Sequence, residues 1–350
     1  MGEIVKKILI IGAFDFKKMD TGGQPVKTRE LYYALLDYYK SDCIKVCDTA
    51  HWKRNPFGPL LFLLKLVRKM DVVIMLPAQK GLTVISRILL LLANKKTKLI
   101  YDVIGGWLPG LLEKNKTIKK MLYNFNQIWV ETESMKEALN TLGFSNVYKV
   151  HNFKNISIVG ENDLDCNIQI PLMLCFFARV RPEKGIEDAI SVIKRINEEE
   201  KRIVFCLDVY GLIEDEYKAR FETLLDNNNS FVKYCGVAKP SDGVEIIRNY
   251  FALLFPTRFY TEGVPGTLID SYCAGVPVIT SVWKNAKDIF IDGITGWGFN
   301  FGDIDDFYLV LKKVLLAPKA FIKMKKSTLE EGKKYLTKNV VSHIVTLIEE

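Results

Sequence analysis

The stretch Phe255–Ile279, FPTRFYTEGVPGTLIDSYCAGVPVI, decides how this chain is read. It starts at the end of an apolar, strand-like run, Phe251 to Phe255, and passes through a loop punctuated by Gly263, Pro265 and Gly266. Glu262 lies on that loop. Asp270 follows on a segment that reads as a helix, and Val276–Ile279 is the next apolar run. A loop that ends a strand and opens a helix presents unpaired backbone N–H groups, which collect anions. A carboxylate fixed beside them grips hydroxyl groups. The combination suits a nucleotide-sugar.

Outward from this stretch the same texture continues in both directions. Short apolar runs at residues 7–12, 72–76, 98–103, 127–131 and 147–150 read as strands, with helices over 26–39, 82–93 and 134–142. Residues 153–170, FKNISIVGENDLDCNIQI, are polar and aperiodic and read as a linker. The pattern then restarts, with strands at 172–177, 203–210, 231–235 and 252–255. Between the first two, Ile186, Ala189, Ile190, Ile193 and Ile196 recur at the spacing of one helix face. A helix follows over 241–250, and the last forty residues are Lys-rich and helical. Alternating strands and helices predict parallel sheets covered on both faces, an α/β fold. Two doubly wound halves in tandem are expected, facing a central cleft with the carboxyl ends of their strands. The expected boundaries are residues 1–152, a linker at 153–170, a second domain at 171–330 and a C-terminal helical segment, 331–350, packing back on the first domain.

Composition narrows the class. Apolar residues make up 49% and charged residues 26% of 350, which is ordinary for a soluble globular protein with two cores. The net charge of +8 is unevenly placed: residues 1–155 hold 25 Lys and Arg against 13 Asp and Glu, whereas 156–350 hold 24 against 28. The seven cysteines form no CxxC pair, and with three histidines they argue against a disulfide framework or a zinc site. The most apolar windows, 60–66 and 82–93, are too short to span a bilayer. A cytoplasmic protein is expected, with no nucleic-acid partner.

A second group of residues, ARVRPEKG, follows the 172–177 strand and opens a helix. Arg179 offers a planar fork of donors and Lys184 a compact charge five positions on, a pair able to hold a diphosphate at a helix start. A third group, Gly12-Ala-Phe-Asp with Thr21-Gly22-Gly23-Gln24, lets backbone approach a ligand closely, although an ordinary loop fits equally well. Asp303-Ile-Asp305 reads as a loop and helix N-cap rather than a metal site.

Together these segments resemble the retaining glycosyltransferases of family 4, the glycosyltransferases group 1 family. Glu262-x7-Asp270 resembles its EX7E motif, ARVRPEKG its GR-x-x-x-x-KG segment, TGGQPVKTREL its Gly-Gly loop and VYKVHNFKNI its entry into the linker. The resemblance spans nearly the whole chain and is most specific in the C-terminal half. It implies a GT-B fold of two Rossmann-like domains, the donor on the second and the acceptor on the first, and metal-independent transfer with retention. By motif, Arg179 and Lys184 would hold the donor diphosphate and Glu262 the sugar hydroxyls. The Gly263-Val264-Pro265-Gly266-Thr267 backbone would grip sugar and phosphate, Asp270 the ribose, and Gly22 and Gly23 the diphosphate from the other side. No cofactor beyond the nucleotide-sugar substrate is expected.

Two positions depart from the family pattern. The second acid is Asp270 rather than Glu, one methylene shorter. Relatives carry a catalytic-site His after an N-domain strand. The corresponding stretch, Leu99 to Trp107, has none, and Asp102 is the nearest polar candidate there, with a strand-end cap as the equal alternative. A glycan or lipid-linked acceptor is expected, in capsule, exopolysaccharide or lipopolysaccharide synthesis. The alternatives are a nucleotide-sugar epimerase or hydrolase on the same fold and an inactive GT-B-like partner subunit. Arg54, Lys65, Arg68 and Lys69, interleaved with Phe57, Leu60, Leu61, Phe62 and Leu66, suggest peripheral contact with an anionic membrane, unless these leucines are core.

Overall fold

The computed structural model describes residues 6–17, 22–52 and 57–350; Thr21 and Arg54 lie outside the described residues. The chain divides into two compact units, Met1–Asn155 joined by Thr337–Glu350, and Ile156–Leu336.

The N-terminal unit begins with β1 (Ile8–Gly12), α1 (Gly23–Leu36), β2 (Ile44–Asp48), α2 (Phe57–Leu66), β3 (Val72–Met75) and α3 (Gln79–Leu92). It continues with β4 (Lys98–Asp102), α4 (Leu108–Lys114), α5 (Lys116–Leu122), β5 (Gln127–Val130), α6 (Glu133–Thr141) and β6 (Val147–Lys149). The C-terminal unit holds β7 (Leu172–Phe177), α7 (Ile186–Glu199), β8 (Phe205–Tyr210), α8 (Lys218–Asp226), β9 (Val232–Gly236), α9 (Gly243–Ile247), β10 (Ala252–Phe255) and α10 (Gly266–Cys273). After these come β11 (Val278–Val282), β12 (Gly296–Asn300), α11 (Ile304–Leu316), α12 (Pro318–Ile322) and α13 (Met324–Gly332). The last helix, α14 (Thr337–Glu349), belongs to the N-terminal unit.

The N-terminal sheet runs β2-β1-β3-β4-β5-β6, parallel throughout. Its central strands are buried on both faces, so they read as unbroken apolar runs such as Ile8 to Ile11 rather than as alternations. On one face Leu63, Leu82, Leu89, Ile118 and Met135 of the following helices close a core over Leu9, Val73 and Tyr101. On the other, α1 and α14 cover Ile8, Ile10 and Ile74 with Leu31, Leu35, Val340, Ile344 and Leu347. Lys6 and Lys98 fasten α14: their ammonium groups donate to Ile348 O and Leu347 O, both at 3.0 Å, where the end of a helix leaves carbonyls unpaired.

The C-terminal sheet runs β12-β11-β10-β7-β8-β9, also parallel. Chain order runs outward from β7 through β8 and β9, then jumps to β10 on the other flank of β7. The loops after β7 and β10 therefore leave neighbouring strands in opposite directions, the topological switch point where open α/β sheets bind ligands. In the N-terminal sheet the equivalent point lies between β1 and β3.

Two strands were not legible. β2 is an edge strand in which only Ile44 and Cys47 are buried, and β12 is the glycine-rich GWGFN. Helix α1 starts at Gly23, three residues before the apolar pattern suggests, because Gly23, Gln24 and Pro25 carry no part of that pattern, although Pro25 is buried. Residues 156–170, expected as linker, pack on the C-terminal unit. Val159 is buried there and its N–H donates to Cys273 O at 2.9 Å.

Candidate functional site

β7 ends at Phe177 and the chain turns through Arg179 and a single 3₁₀ turn, Pro182–Lys184, into α7. The joint is Gly185, in the left-handed region at φ +75°. A Cβ there would stand 1.8 Å from Pro256 O, the first carbonyl beyond β10. Only glycine lets the two loops touch, and that contact puts Lys184 beside the Glu262 loop.

The Glu262 loop is held from three sides. The Arg258 guanidinium forks onto the Asp188 carboxylate with two bonds of 2.6 Å, tying the loop to the first turn of α7. Ser281 Oγ donates to Thr257 O at 2.7 Å, and buried Asn285 donates through Nδ2 to Glu262 O at 2.8 Å. Inside this frame the Lys184 ammonium donates to Glu262 Oε1, which also accepts from Thr257 Oγ1 at 3.2 Å. The rings of Phe255 and Phe259 lie 5.7 and 6.0 Å from the Lys184 nitrogen, so the cation is flanked by aromatic faces. Arg179 and Arg181 share Glu214, at 3.7 and 2.9 Å.

Beyond Glu262, Gly263 and Val264 are buried, and Pro265 stands before the first residue of α10, Gly266. No side chain caps this helix. The Thr267 hydroxyl in its first turn is buried without a hydrogen-bond partner among the described residues. An orphan hydroxyl beside an uncapped helix start fits the oxygen of a bound phosphate or sugar. Asp270, one turn further on, is almost fully buried, its carboxylate standing over Gly243 at the start of α9. A Cβ on Gly243 would come within 2.7 Å of Asp270 Oδ2.

The structure therefore brings Arg179, Lys184, Glu262 and the Gly263–Thr267 segment together at one switch point, with Asp270 on the helix leading from it. Gly22 and Gly23 lie in the other unit. Gly22 caps α1 by backbone alone, Gly23 has open space where a Cβ would point, and Gln24 donates to Leu76 O beyond β3 at 2.9 Å. Asp102, the candidate for the missing His, pairs with a buried lysine. It is buried at the end of β4 and accepts from Lys27 Nζ at 3.0 Å; Lys27 also donates to Glu131 at 2.9 Å. Burial alone would lower the Lys27 pKa, but Asp102 and Glu131 outweigh it and hold the ammonium above its ordinary value. Burial raises the Asp102 carboxyl, and Lys27 offsets this only in part. Asp303 caps α11, accepting from Asp306 N–H at 2.9 Å. Among the described residues no group of His, Cys, Asp or Glu is arranged to hold a metal, and no helix is long and apolar enough to cross a membrane.

Thr257, Arg258, Asp188 and Asn285 were missed in the sequence. Their residue types are common in loops, and only the fold shows that they meet in and around the segment 257–262.

Residues 169–334, just under half the chain, match the family model described as glycosyl transferases group 1. The C-terminal unit carries a glycosyl transferases group 1 domain. By enzyme class the chain is a glycosyltransferase, and both motifs, Arg179–Gly185 and Glu262–Asp270, fall inside the matched glycosyltransferase residues. No curated protein matches the chain. Among solved structures, Anabaena HepE in complex with UDP superposes with a TM-score of 0.77 at 11% identity, over 98% of this chain and 99% of HepE. Sucrose-phosphate synthase from Thermosynechococcus elongatus gives 0.77 at 14%, over 98% of each chain. The lipopolysaccharide outer core galactosyltransferase WaaB, in its apo form, gives 0.67 at 16%, over 97% of this chain and 98% of WaaB. At these identities the likeness speaks for the fold, which is GT-B.

Proposed function

We propose that this chain is a retaining glycosyltransferase of family 4. It moves a sugar from a nucleotide-sugar donor to a glycan or lipid-linked acceptor during synthesis of capsule, exopolysaccharide or lipopolysaccharide, on the cytoplasmic side of the membrane. The observation that carries the reading is the Lys184–Glu262 pair, built at the sheet's switch point beside an uncapped helix start and an orphan Thr267 hydroxyl.

In this reading the donor diphosphate lies at Lys184 and Arg179, with its oxygens on the α10 N–H groups and Thr267. The sugar lies at Glu262 and the ribose at Asp270. Departure of the nucleoside diphosphate builds negative charge on a phosphate oxygen as positive charge develops at the anomeric carbon. Fixed cations and N–H dipoles stabilise that oxygen where the charge appears, without a metal. No side chain acts as nucleophile; the leaving phosphate takes the acceptor's proton. Asp102 works through Lys27, holding α1 and its Gly22–Gly23 start against the end of β4. The N-terminal unit serves the acceptor.

HepE was solved with UDP and with UDP-glucose, which places UDP-sugars first among donors to try. The test is a thermal-shift panel of UDP-, GDP- and other nucleotide-sugars on the wild type and on Glu262→Ala, followed by turnover of whichever ligand binds. A ligand that binds only the folded state raises its melting temperature. Binding and turnover by the wild type, with turnover lost in Glu262→Ala, support the reading. Equal turnover by both proteins, or no stabilising nucleotide-sugar, defeats it.

A further inference from the structure

The outer surface of α2 and α3 is built unlike the rest of the N-terminal unit. In α2, only Leu63 is buried. Phe57, Leu61 and Leu64 recur at the spacing of one helix face and are 72, 56 and 48% exposed. That face points away from the core, so the exposure is a continuous apolar stripe rather than scattered surface residues. Helix α3 covers the neighbouring strands on the same side of the sheet. Its outward face reads Lys80, Val84, Arg87, Leu91, alternating cation and apolar group, with Leu91 80% exposed.

The charge around this surface is predominantly positive. Lys65, Arg68 and Lys69 are exposed at the end of α2 and in the turn that follows. The Arg68 carbonyl accepts from Asn94 Nδ2, which joins that turn to the end of α3, where Lys95 and Lys96 are also exposed. Across residues 57–122 there are 12 Lys and Arg against three Asp and Glu, and one of those acids, Asp102, is buried against Lys27. A protein partner would meet this surface with mixed charge and pockets. An apolar ridge set among cations matches a lipid surface, whose acyl region accepts Phe and Leu while anionic headgroups meet the lysines and arginines.

We propose that α2 and α3 form a docking surface for an anionic lipid bilayer, with Phe57, Leu61 and Leu64 entering the headgroup boundary and Lys65, Arg68, Lys69 and Arg87 pairing with lipid phosphates. The attachment is peripheral. It rests on the N-terminal unit and does not depend on the transferase reading, because vesicle binding needs no substrate.

The experiment is flotation of the full chain with phosphatidylcholine vesicles, with and without phosphatidylglycerol, at low and high salt. The expected result is binding that requires phosphatidylglycerol and weakens with salt. The combined variant Phe57→Ser, Leu61→Ser, Leu64→Ser and, separately, Arg68→Glu with Lys69→Glu should each reduce binding by about tenfold or more. Melting temperature and far-UV circular dichroism of each variant are compared with wild type to show that the fold is kept. If a variant does not fold, the single changes Phe57→Ser and Lys69→Glu give the same comparison. Absence of binding to anionic vesicles at low salt, or binding that the folded variants retain in full, overturns the proposal. So does a dimer that the serine variant converts to monomer while vesicle binding stays unchanged, which would give the stripe to a second copy of the chain.

Discussion

Lys184 and Glu262 lie 78 residues apart in the chain and meet side chain to side chain at the switch point of the C-terminal sheet. Both are mostly buried, at 20 and 14% side-chain exposure, so each is the other's principal charge partner. Lys184→Met and Glu262→Gln should each lower turnover of a nucleotide-sugar by about 10²–10³-fold, the range for losing one fixed group that meets developing charge. Each should also cost roughly 1–3 kcal/mol of stability by leaving the other partner unmatched. The double variant should recover most of that stability and none of the activity. Steady-state kinetics with urea unfolding reads both. Recovery of turnover in the double variant would mean that the pair is structural.

Gly185 decides whether that meeting happens. Gly185→Ala puts a methyl 1.8 Å from Pro256 O in a backbone that already requires φ +75°. The backbone strain alone costs about 1–3 kcal/mol, and the collision must push the two loops apart. A lowered melting temperature with loss of nucleotide-sugar binding is expected, although residue 185 itself bears no functional group. Retained affinity in a folded Gly185→Ala protein would show that the contact between loops is dispensable.

How much of this was legible in the sequence follows from what each signal depends on. The strands were readable because parallel strands buried on both faces are continuous apolar runs, as in Ile8 to Ile11 and Leu172 to Phe177. The edge strands β2 and β12 were not: β2 carries Lys45 and Asp48 among its apolar residues, and glycines break the apolar run of β12. Glu262 and Lys184 stood out because each directly precedes a glycine in a strand-to-helix loop, and Arg179 because it shares the loop of Lys184. Their common location was not derivable from either motif alone. It comes from strand order, which places β10 against β7 across the whole span of β8 and β9. Asp102 could be read from the sequence only as a polar group at a strand end; its buried partners Lys27 and Glu131 come from the fold.

That buried group makes its own prediction. Lys27 is the cation between Asp102 and Glu131, all three nearly inaccessible to solvent. Lys27→Met leaves two carboxylates buried without it, and the expected loss is about 3–5 kcal/mol at neutral pH. In the wild type, the raised Lys27 pKa means that its contribution is fully present below the ordinary lysine value and is lost as pH rises through the higher folded value. Asp102 also has a raised pKa, so its ionisation is harder in the folded chain and its contribution to stability falls as pH rises out of the acid range. In Lys27→Met that second effect grows. The deficit should therefore shrink when the variant is unfolded at mildly acid pH, where the Asp102 carboxyl takes up a proton. A deficit of constant size from acid to neutral pH would show that packing, not charge, is what Lys27 supplies.

Asp270, which stands where the motif it resembles has Glu, is tied to a glycine on another element. Asp270 is 2% exposed and its carboxylate occupies the space that a Cβ on Gly243 would enter, 2.7 Å from Oδ2 and 2.8 Å from Cγ. A shorter acid and a missing side chain thus fit each other. Gly243→Ala should turn the carboxylate away from its present position without touching Lys184 or Glu262. If Asp270 holds the ribose, that contact is equal in ground state and transition state. The donor KM should then rise about tenfold while kcat stays near wild type. Asp270→Glu should overfill the same space and cost about 1–3 kcal/mol in stability. Combining Asp270→Glu with Gly243→Ala should be worse than either alone, because both additions compete for one volume. Initial-rate kinetics over a donor concentration series separates the cases. A fall in kcat at unchanged KM would place Asp270 at the reacting sugar instead of the ribose.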